Sequence, residues 1–307
     1  MSGDLQNRRI GLAGANGFIG SAIFRYLHAS GISPRTLCGP GAGSVNGPEN
    51  LICDLTDSAQ LQCWVTGLET VIHAAGPPSV RRSFEIPQEY VRVHVQGTTA
   101  LLEACRSAGV KQIVYLSSAE VYGRAEQSLV PETHGLQPRS PYAVAKLAAE
   151  KMIAVYVQSF GLNATVLRPF SIYGPNPTPE SLFGSILSMS REGCIHLHDL
   201  RPVRDYCHVD DLAIAVLRAC LLQNQHMRVV NIGTGKGTSV GEFAECVLKT
   251  LGLNLPVVED RSRSRNHSEI FDLVADITSA QNLLGWTAQI SLSDGLRRAI
   301  AASRETI

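Results

Sequence analysis

Several features that would place this chain in a special class of proteins are absent. Its 307 residues contain no apolar run close to the roughly 18 residues that a membrane span needs. Lys and Arg together number 27, and so do Asp and Glu, which leaves a net charge of zero. Because there is no charge excess and no basic stripe interleaved with aromatic residues, we expect neither a nucleic-acid partner nor a membrane partner.

Paired cysteines are absent as well. The eight cysteines are scattered without a Cys-x-x-Cys pair, which predicts neither a disulfide framework nor a zinc site of that type. Such usage is typical of a reduced, cytoplasmic protein, and the start MSGDLQNRR lacks the apolar segment of a signal peptide. His196 and His198 have no further ligands at suitable spacing, so we predict no metal site.

A regular alternation of short apolar runs and amphipathic segments is present. The strand-like runs are RRIGLAG, RTLC, NLICDL, TVIHAAG, KQIVYLSS and NATVLRP. Continuous apolar strands separated by helices predict an α/β fold, a doubly wound parallel sheet covered on both faces. We assign residues 1–169, plus about 205–234, to this domain. The alternation breaks near residue 170, which predicts a smaller C-terminal substrate-binding lobe from residues 170–204 and 235–307.

Two longer segments are predicted as helices. EYVRVHVQGTTALLEACRSAG has the spacing of one long amphipathic helix. SPYAVAKLAAEKMIAVYVQSFG is rich in Ala and Lys, with Ser140 as the predicted N-cap and Pro141 in the first turn. A third helix is expected to begin near an N-cap at Asp210.

The stretch GLAGANGFIGSAI places Gly14, Gly17 and Gly20 between the first strand and the first helix. Glycine permits the tight turn and lets the backbone approach a pyrophosphate, which then meets the helix N-terminus. The alternative is a turn required only for packing, but the first strand-to-helix turn of an α/β series is the expected place for a dinucleotide. The sequence therefore predicts a dinucleotide site at this turn.

The residues that read the adenosine half of the dinucleotide are less clear from the sequence. The acidic residue that usually ends the second strand is missing from RTLCGPG, so this position does not choose between NAD and NADP. Asp54, in ICDLTD, either reaches the adenine or serves the start of the following helix.

The stretch YAVAK places Tyr142 and Lys146 four residues apart, hence on one face of a helix. A phenol with a pKa of about 10 is a poor base at neutral pH, and a nearby ammonium favours the phenolate. The spacing alone also fits an ordinary surface pair. Together with the glycine turn and the serine-bearing strand end at LSS, it favours a catalytic pair.

With these stretches taken together, the chain resembles the extended short-chain dehydrogenase/reductases, within the nucleotide-sugar epimerase and dehydratase group. The matching stretches run in order over nearly the whole chain: GANGFIGS, HAAG, VQGTTALLEACRSAGVKQIVYLSSAEVYG, SPYAVAKLAAE, LRPFSIYGP, RDYCHVDDLA, NIGTG and LLGW. The resemblance implies a Rossmann-type NAD(P) domain, a lobe for a nucleoside diphosphate sugar, and a homodimer through helices containing residues 90–108 and 142–160. It also implies an epimerase similar to UDP-glucose 4-epimerase, working through a transient 4-keto sugar.

The resemblance also implies roles for individual residues. Tyr142 would be the acid/base, Lys146 would tune it and bind the nicotinamide ribose, and Ser118 would bond the reacting sugar oxygen. The residues expected to bind NAD (with NADP not excluded) are Gly14, Asn16, Gly17, Phe18, Ile19, Gly20, Asp54, Leu55, Ala74, Ala75, Gly76, Tyr142 and Lys146.

The sugar nucleotide is expected to meet a second set of residues. Arg204 in VRDY matches a residue that contacts the substrate diphosphate in the family. The resemblance implies a second Arg that contacts the diphosphate, ahead of the stretch VADI. The family's usual spacing places Asn266 at this position, so Arg263 or Arg265 would have to take this role. Ser171 stands where a substrate-contacting Asn is usual, and His94 likewise replaces an Asn near the cofactor.

The loop SSAEVYG separates the functional alternatives. In the family's 4,6-dehydratases this loop carries an Asp followed by a Glu, acid and base, whereas in the 4-epimerases it carries no carboxylate. Here Ala119 precedes Glu120, so the acid is missing and the base is present. This favours an epimerase. The alternatives are a 4-ketoreductase, a dehydratase or decarboxylase with Glu120 as base, and a non-catalytic dinucleotide-binding regulator, which the intact Ser118, Tyr142 and Lys146 disfavour.

Overall fold

Short strands alternate with helices along the first 170 residues. The computed structural model describes residues 5, 7–41, 49–222, 226–260 and 272–304. The strands, in chain order, are β1 (Ile10–Ala13), β2 (Arg35–Cys38), β3 (Asn50–Ile52), β4 (Thr70–His73), β5 (Gln112–Leu116), β6 (Asn163–Pro169), β7 (Ser171–Tyr173), β8 (Ile195–Leu197), β9 (Val203–Arg204), β10 (Tyr206–His208), β11 (Arg228–Ile232), β12 (Thr238–Ser239), β13 (Val257–Glu259) and β14 (Asp272–Leu273).

The helices connect these strands. They are α1 (Phe18–Ala29), α2 (Ser58–Val65), α3 (Val80–Glu85), α4 (Pro87–Val91), a π-helix (Arg92–Gly97), α5 (Thr98–Ala108), a 3₁₀-helix (Ala119–Tyr122), α6 (Pro141–Phe160), α7 (Leu182–Met189), α8 (Val209–Leu221), α9 (Val240–Leu251), α10 (Thr278–Leu284) and α11 (Leu292–Arg304). In the described part of the chain, no helix is both long enough and apolar enough to cross a bilayer.

Seven strands form one sheet in the order β11-β6-β5-β4-β1-β2-β3. Every neighbouring pair in it is parallel, which confirms the predicted doubly wound sheet. The strand order reverses between β1 and β4. In open parallel sheets, a crevice forms outside the carboxyl ends of the strands at such a reversal, and ligands bind there.

Apolar helix faces cover both sides of this sheet. On one side, Ile23 of α1 and Leu212 of α8 pack in one cluster with Leu12 of β1. On the other side, Leu61 of α2 and Leu101 of α5 pack with further strand residues. The central strands β1, β4 and β5 are therefore buried on both faces, which is why they read as continuous apolar runs.

Helix α6 begins as its sequence predicts. The side chain of Ser140 accepts a hydrogen bond from the backbone N–H of Ala143, and Pro141 occupies the first turn. Gly161 ends the helix in the left-handed conformation. Helix α8 differs from the expectation, because its N-cap is His208 and not Asp210: the His208 ring nitrogen accepts from the Asp210 N–H.

Smaller sheets occupy the C-terminal part of the chain. Strands β7 and β10 form one pair, β8 and β13 another, and β12, β9 and β14 a three-stranded sheet. A separate apolar cluster lies among α7, α9 and α11, with Phe243 near its centre. Strand β11 and helix α8, by contrast, pack in the layers of the large sheet. The division into two domains by residue number stays a prediction.

The segment predicted as one long helix is helical throughout, but a π-helix interrupts its α-helical hydrogen bonding. Helix α4 ends at Val91, the π-helix Arg92–Gly97 follows, and α5 begins at Thr98. Apolar periodicity does not reveal this, because the six residues of the π-helix are too few to show a spacing of their own within the α-helical pattern on either side. Short π-helical segments occur frequently at functional sites.

Candidate active site

A cleft of about 300 Å³ lies at the reversal of strand order. Its walls come from the ends of β1 and β4 and from the start of the π-helix. The residues lining it are Gly14, Asn16, Gly17, Leu37, Gly39, Pro40, Cys53, Asp54, Leu55, Ala74, Ala75, Gly76, Pro77, Glu89, Arg92 and Val93. Eight of the predicted cofactor residues are among them: Gly14, Asn16, Gly17, Asp54, Leu55, Ala74, Ala75 and Gly76.

The glycine turn has the shape required for a pyrophosphate site. Gly14 has a φ of +87°, and a Cβ there would lie 2.7 Å from the backbone of Ala75. A Cβ on Gly20 would lie 1.9 Å from the carbonyl oxygen of Gly14, so only glycine lets α1 approach the turn. The first turn of α1 carries no acidic residue. Its positive end is thus open to an anion.

Three predicted cofactor residues lie behind this wall. Gly20 is buried at the base of the turn. Phe18 and Ile19 are half-buried in the first turn of α1 and pack against the core cluster that contains Ile23. Their described contacts are with this core.

The adenosine end of the cleft contains two residues that the sequence reasoning missed. Arg92 donates to both carboxylate oxygens of Asp54, at 2.9 and 2.8 Å, and to both of Glu89. Hydrogen bonds from Thr56, then the Arg92 guanidinium, hold the pKa of Asp54 below its usual value. The N-cap of α2 is Asp57. Asp54 is therefore an ionised carboxylate at the cleft wall that also accepts from the Thr56 backbone N–H, in the turn that leads into α2.

The end of β2 offers no charged side chain to a ribose. Cys38 is fully buried. Arg35 turns away, because its guanidinium bonds Glu49 and the carbonyl oxygens of Trp64 and Thr66.

Tyr142, Ser118 and Lys146 meet beyond the end of β5. Ser118 hydrogen-bonds the Tyr142 hydroxyl, and this bond lowers the pKa of Tyr142. The Lys146 ammonium donates to the carbonyl oxygen of Leu116 at 2.7 Å and lies 5.9 Å from the centre of the Tyr142 ring. The three predicted catalytic residues therefore share one site, which the i,i+4 spacing on α6 and the end of β5 bring together.

Burial dominates the electrostatics of this pair. It raises the pKa of Tyr142 despite the bond from Ser118, and the Glu120 carboxylate raises it further. Burial also lowers the pKa of Lys146 to about 7, with the charge of Glu150 opposing the shift. A positive charge bound nearby would shift the balance toward the phenolate.

His94 lies against the other edge of the Tyr142 ring, with the ring centres 5.5 Å apart. Its Nε2 lies 3.0 Å from the carbonyl oxygen of Pro77, and because a carbonyl only accepts, Nε2 carries the proton. Burial and the charge of Lys146 hold the pKa of His94 well below its ordinary value, so the ring is neutral. A Cβ on Gly76 would lie 2.3 Å from this ring. His94 thus fills the space beneath the Gly76 backbone.

Glu120 lies two residues after Ser118, in the 3₁₀-helix. Its backbone N–H donates to the Ser118 hydroxyl at 3.2 Å, and its side chain is half-buried. The negative charge of Glu120 raises the pKa of Tyr142.

Two of the predicted substrate residues, Arg204 and Ser171, lie in the small sheets. Arg204 ends β9 and is half-buried, and its guanidinium donates to the carbonyl oxygen of Val203. Ser171 begins β7 and is paired with Tyr206 of β10. Arg263 and Arg265 lie outside the described residues.

Asp205 anchors the segment that carries Arg204. Its buried carboxylate accepts from the N–H groups of Thr234, Gly235 and Ala275 and from the Thr234 hydroxyl. The stretches RDY and NIGTG are therefore joined by this one side chain. Among the described residues, no group of three or more His, Cys, Asp or Glu could hold a metal.

The chain matches the model of the NAD dependent epimerase/dehydratase family over residues 10–233. It is 33% identical over 299 residues to UDP-glucose 4-epimerase of Streptomyces lividans, covering 90% of each chain. It is 30% identical to dTDP-glucose 4,6-dehydratase of Streptomyces griseus, covering 94% of this chain and 92% of that one. Among solved structures, MoeE5 in complex with UDP-glucuronic acid and NAD superposes with a TM-score of 0.90 at 30% identity, over 97% of this chain and 100% of that one.

The chain therefore belongs to the NAD dependent epimerase/dehydratase family, and it is an enzyme. The resemblance noted from the sequence motifs is thereby confirmed.

Proposed function

We propose that this enzyme is a UDP-sugar 4-epimerase that uses NAD. The observation that carries the proposal is the Tyr142 hydroxyl, bonded by Ser118 and lying beside Lys146. The similarity to the Streptomyces lividans epimerase and to MoeE5 supports both the sugar nucleotide and the cofactor.

The cleft fits the cofactor. The Gly14–Gly20 turn leaves the open approach that a pyrophosphate needs, and the N-terminus of α1 supplies its positive end. Asn16 and Gly17 would lie beside the pyrophosphate, Asp54 and Leu55 beside the adenine, and Ala74 to Gly76 along the dinucleotide. When bound, NAD supplies the hydride acceptor and, later in the cycle, the hydride donor.

The residues of this chain handle the proton and the sugar. The Tyr142 phenolate removes the proton of the sugar 4-hydroxyl while Ser118 bonds the same oxygen. Lys146 stabilises the phenolate. The sugar is now a 4-keto compound, and it rotates within the site so that its opposite face is reduced. Tyr142 then returns the proton to the oxygen on carbon 4. Arg204 would bind the diphosphate through its planar fork of donors, with Arg263 or Arg265 as its partner and Ser171 near the sugar.

A second candidate function follows from Glu120. The carboxylate lies close enough to Tyr142 to act on it, and the dTDP-glucose 4,6-dehydratase of Streptomyces griseus is a relative. With Glu120 as base beside a 4-keto group, the enzyme would be a dehydratase or decarboxylase. Ala119 stands where the proton donor for departing water would be needed, so epimerisation is the better-supported reaction.

The test is incubation of the purified protein with UDP-glucose, UDP-galactose and UDP-glucuronic acid, followed by NMR of the products. Matching dTDP- and GDP-sugars form the comparison set. Interconversion of 4-epimers without added cofactor is the expected result. Release of a 4-keto-6-deoxy sugar would establish the dehydratase, and a stoichiometric need for NADPH would establish a ketoreductase.

We also propose that the protein is a cytoplasmic homodimer active in carbohydrate metabolism. Val91 on α4 and Val144 and Val155 on α6 are about half exposed although they are large and apolar. A face of this kind is suited to a second copy of the chain. In the described residues all eight cysteines are free, and five of them are buried, which fits a reducing compartment.

A further inference from the structure

A buried ionic cluster lies behind the reactive pair. The carboxylate of Glu150, one turn after Lys146 on α6, accepts from the Arg168 guanidinium at 3.0 and 2.6 Å. Both side chains are almost completely buried, at 3% and 4% exposure. The Ser117 hydroxyl also donates to Glu150. Ser117 and Ser118 are thus neighbours with different tasks, one facing Glu150 and the other Tyr142.

The cluster continues away from the site as a chain of hydrogen bonds. Arg168 donates to the Tyr122 hydroxyl at 3.0 Å, and Tyr122 donates to the Asn231 side chain at 2.6 Å. Asn231 in turn bonds Glu132 and the carbonyl oxygen of Val130. Helix α6 is therefore tied to β6, to the 3₁₀-helix and to β11 through fully partnered polar groups.

Lys146 has few groups that favour its charge. The rings of Tyr115 and Tyr142 lie beside its ammonium, and the carbonyl oxygen of Leu116 accepts from it. His73 and His94 face it as neutral rings. Glu150 is the carboxylate whose charge acts on Lys146 in the described part of the chain.

We propose that Glu150 is a positioning residue for the Tyr142–Lys146 pair, and that its buried carboxylate favours the ammonium form of Lys146. This rests on the proposed function of the pair as an acid/base. Glu150 therefore acts through Lys146 and contacts neither sugar nor cofactor.

The charge of Glu150 matters because Tyr142 and Lys146, when they share one titratable proton, can hold it in two ways. One form is phenolate with ammonium, which is the form able to accept a proton from the sugar; the other is phenol with free amine. The two forms contain the same number of protons, so their ratio does not depend on pH. Glu150 lies one turn from Lys146 and two turns from Tyr142, hence its charge favours the ammonium form.

The experiment compares Glu150→Gln with Glu150→Asp in the full chain with NAD bound. Gln keeps the shape and loses the charge, whereas Asp keeps the charge and shortens the side chain. Tyrosinate absorbance is followed against pH, with Tyr142→Phe as the background. Over the pH range in which the pair holds one proton, we expect Glu150→Gln to lose tyrosinate signal. We also expect it to lose kcat on the order of tenfold, since one pKa unit of lost preference is a tenfold change in ratio. Glu150→Asp should retain most of both.

A second variant guards against simple misfolding. Glu150→Gln leaves Arg168 as an unpaired buried cation, which is strongly destabilising. The double variant Glu150→Gln/Arg168→Met removes this cation and should fold, with the tyrosinate signal still lost. A wild-type signal in the double variant, or equal loss in Glu150→Asp and Glu150→Gln, would overturn the proposal. The titration needs no sugar, so it can succeed even if no tested sugar is epimerised, an outcome that would count against the proposed function alone.

Discussion

At the scale of single residues, the reactive chemistry depends on groups that burial has made unusual. Tyr142 is held as a phenol by burial, and Lys146 has a pKa of about 7 for the same reason. Neither is a good base or a strong cation alone. In the proposed mechanism, their proximity, the bond from Ser118 and the positive nicotinamide ring of bound NAD together favour the phenolate that epimerisation requires.

Tyr142→Phe should retain NAD and lose most turnover. The phenol alone moves the sugar proton, and general acid–base catalysis is worth about 10² to 10⁴-fold. Tyr156→Phe is the matched control, because Tyr156 lies on the same helix and its hydroxyl bonds Glu103, away from the cleft. Rates of UDP-sugar interconversion and the NAD content of the purified protein are the measurements. Near-normal turnover in Tyr142→Phe would remove this residue from the mechanism.

Glu120→Gln should move the pH dependence of kcat toward lower pH. The negative charge of Glu120 raises the pKa of Tyr142. Its removal lowers that pKa, so the phenolate forms at lower pH and the acidic limb of the profile shifts in the same direction. The measurement is a kcat–pH profile, with NMR in deuterated water. Deuterium at carbon 5 in the wild type, lost in the variant, would instead show that Glu120 is a working base and that the enzyme is not a simple epimerase.

At the scale of elements, the sequence predicted the parts whose pattern is local. The strands of the large sheet, the glycine turn and the start of α6 at Ser140 all follow from periodicity and capping residues. The π-helix was missed because its hydrogen-bond pattern leaves no distinct apolar spacing. The sequence reasoning therefore also missed the contacts of Arg92 with Asp54 and Glu89. It missed the position of His94 beneath Gly76 as well. The contacts of Arg92 with Asp54 and of His94 with Gly76 join residues far apart in the chain, so no local pattern encodes them. The Arg92–Glu89 pair is a local i,i+3 contact, which the sequence reasoning overlooked.

Gly20→Ala should abolish tight NAD binding. A Cβ at this position would lie 1.9 Å from the carbonyl oxygen of Gly14, so α1 would have to move away from the turn that receives the pyrophosphate. Gly241→Ala, in the first turn of α9, is the control, since its nearest neighbour would be at 3.4 Å. Bound NAD is measured by mass spectrometry after denaturation. A Gly20→Ala protein with full NAD content would show that the turn tolerates a side chain and does not set the approach of the cofactor.

At the scale of the whole molecule, the large sheet positions the proposed catalytic residues, and the smaller sheets carry Arg204 and Ser171, two of the expected substrate residues. Asp205 joins RDY to NIGTG and to Ala275, which follows β14, so the Arg204 segment is fixed by buried hydrogen bonds. The motifs identified the family from the sequence alone. They did not reveal how Glu150, Arg168 and Tyr122 connect the catalytic helix to β11, because that chain of contacts exists only once distant segments pack together.

The association state provides the last prediction. Val144 and Val155 are 11 residues apart on α6, about three turns, and so lie on one face. Their exposed fractions of 51% and 49% are high for valine, and Val91 on the neighbouring α4 is 51% exposed. We expect Val155→Glu to convert a dimer into a monomer, since a charge inside an apolar interface loses its hydration. Val258→Glu, with 41% exposure on β13, is the control and should leave the dimer intact. Sedimentation velocity distinguishes the two masses. A wild-type monomer, or a Val155→Glu dimer, would show that this face of α6 does not hold a second copy.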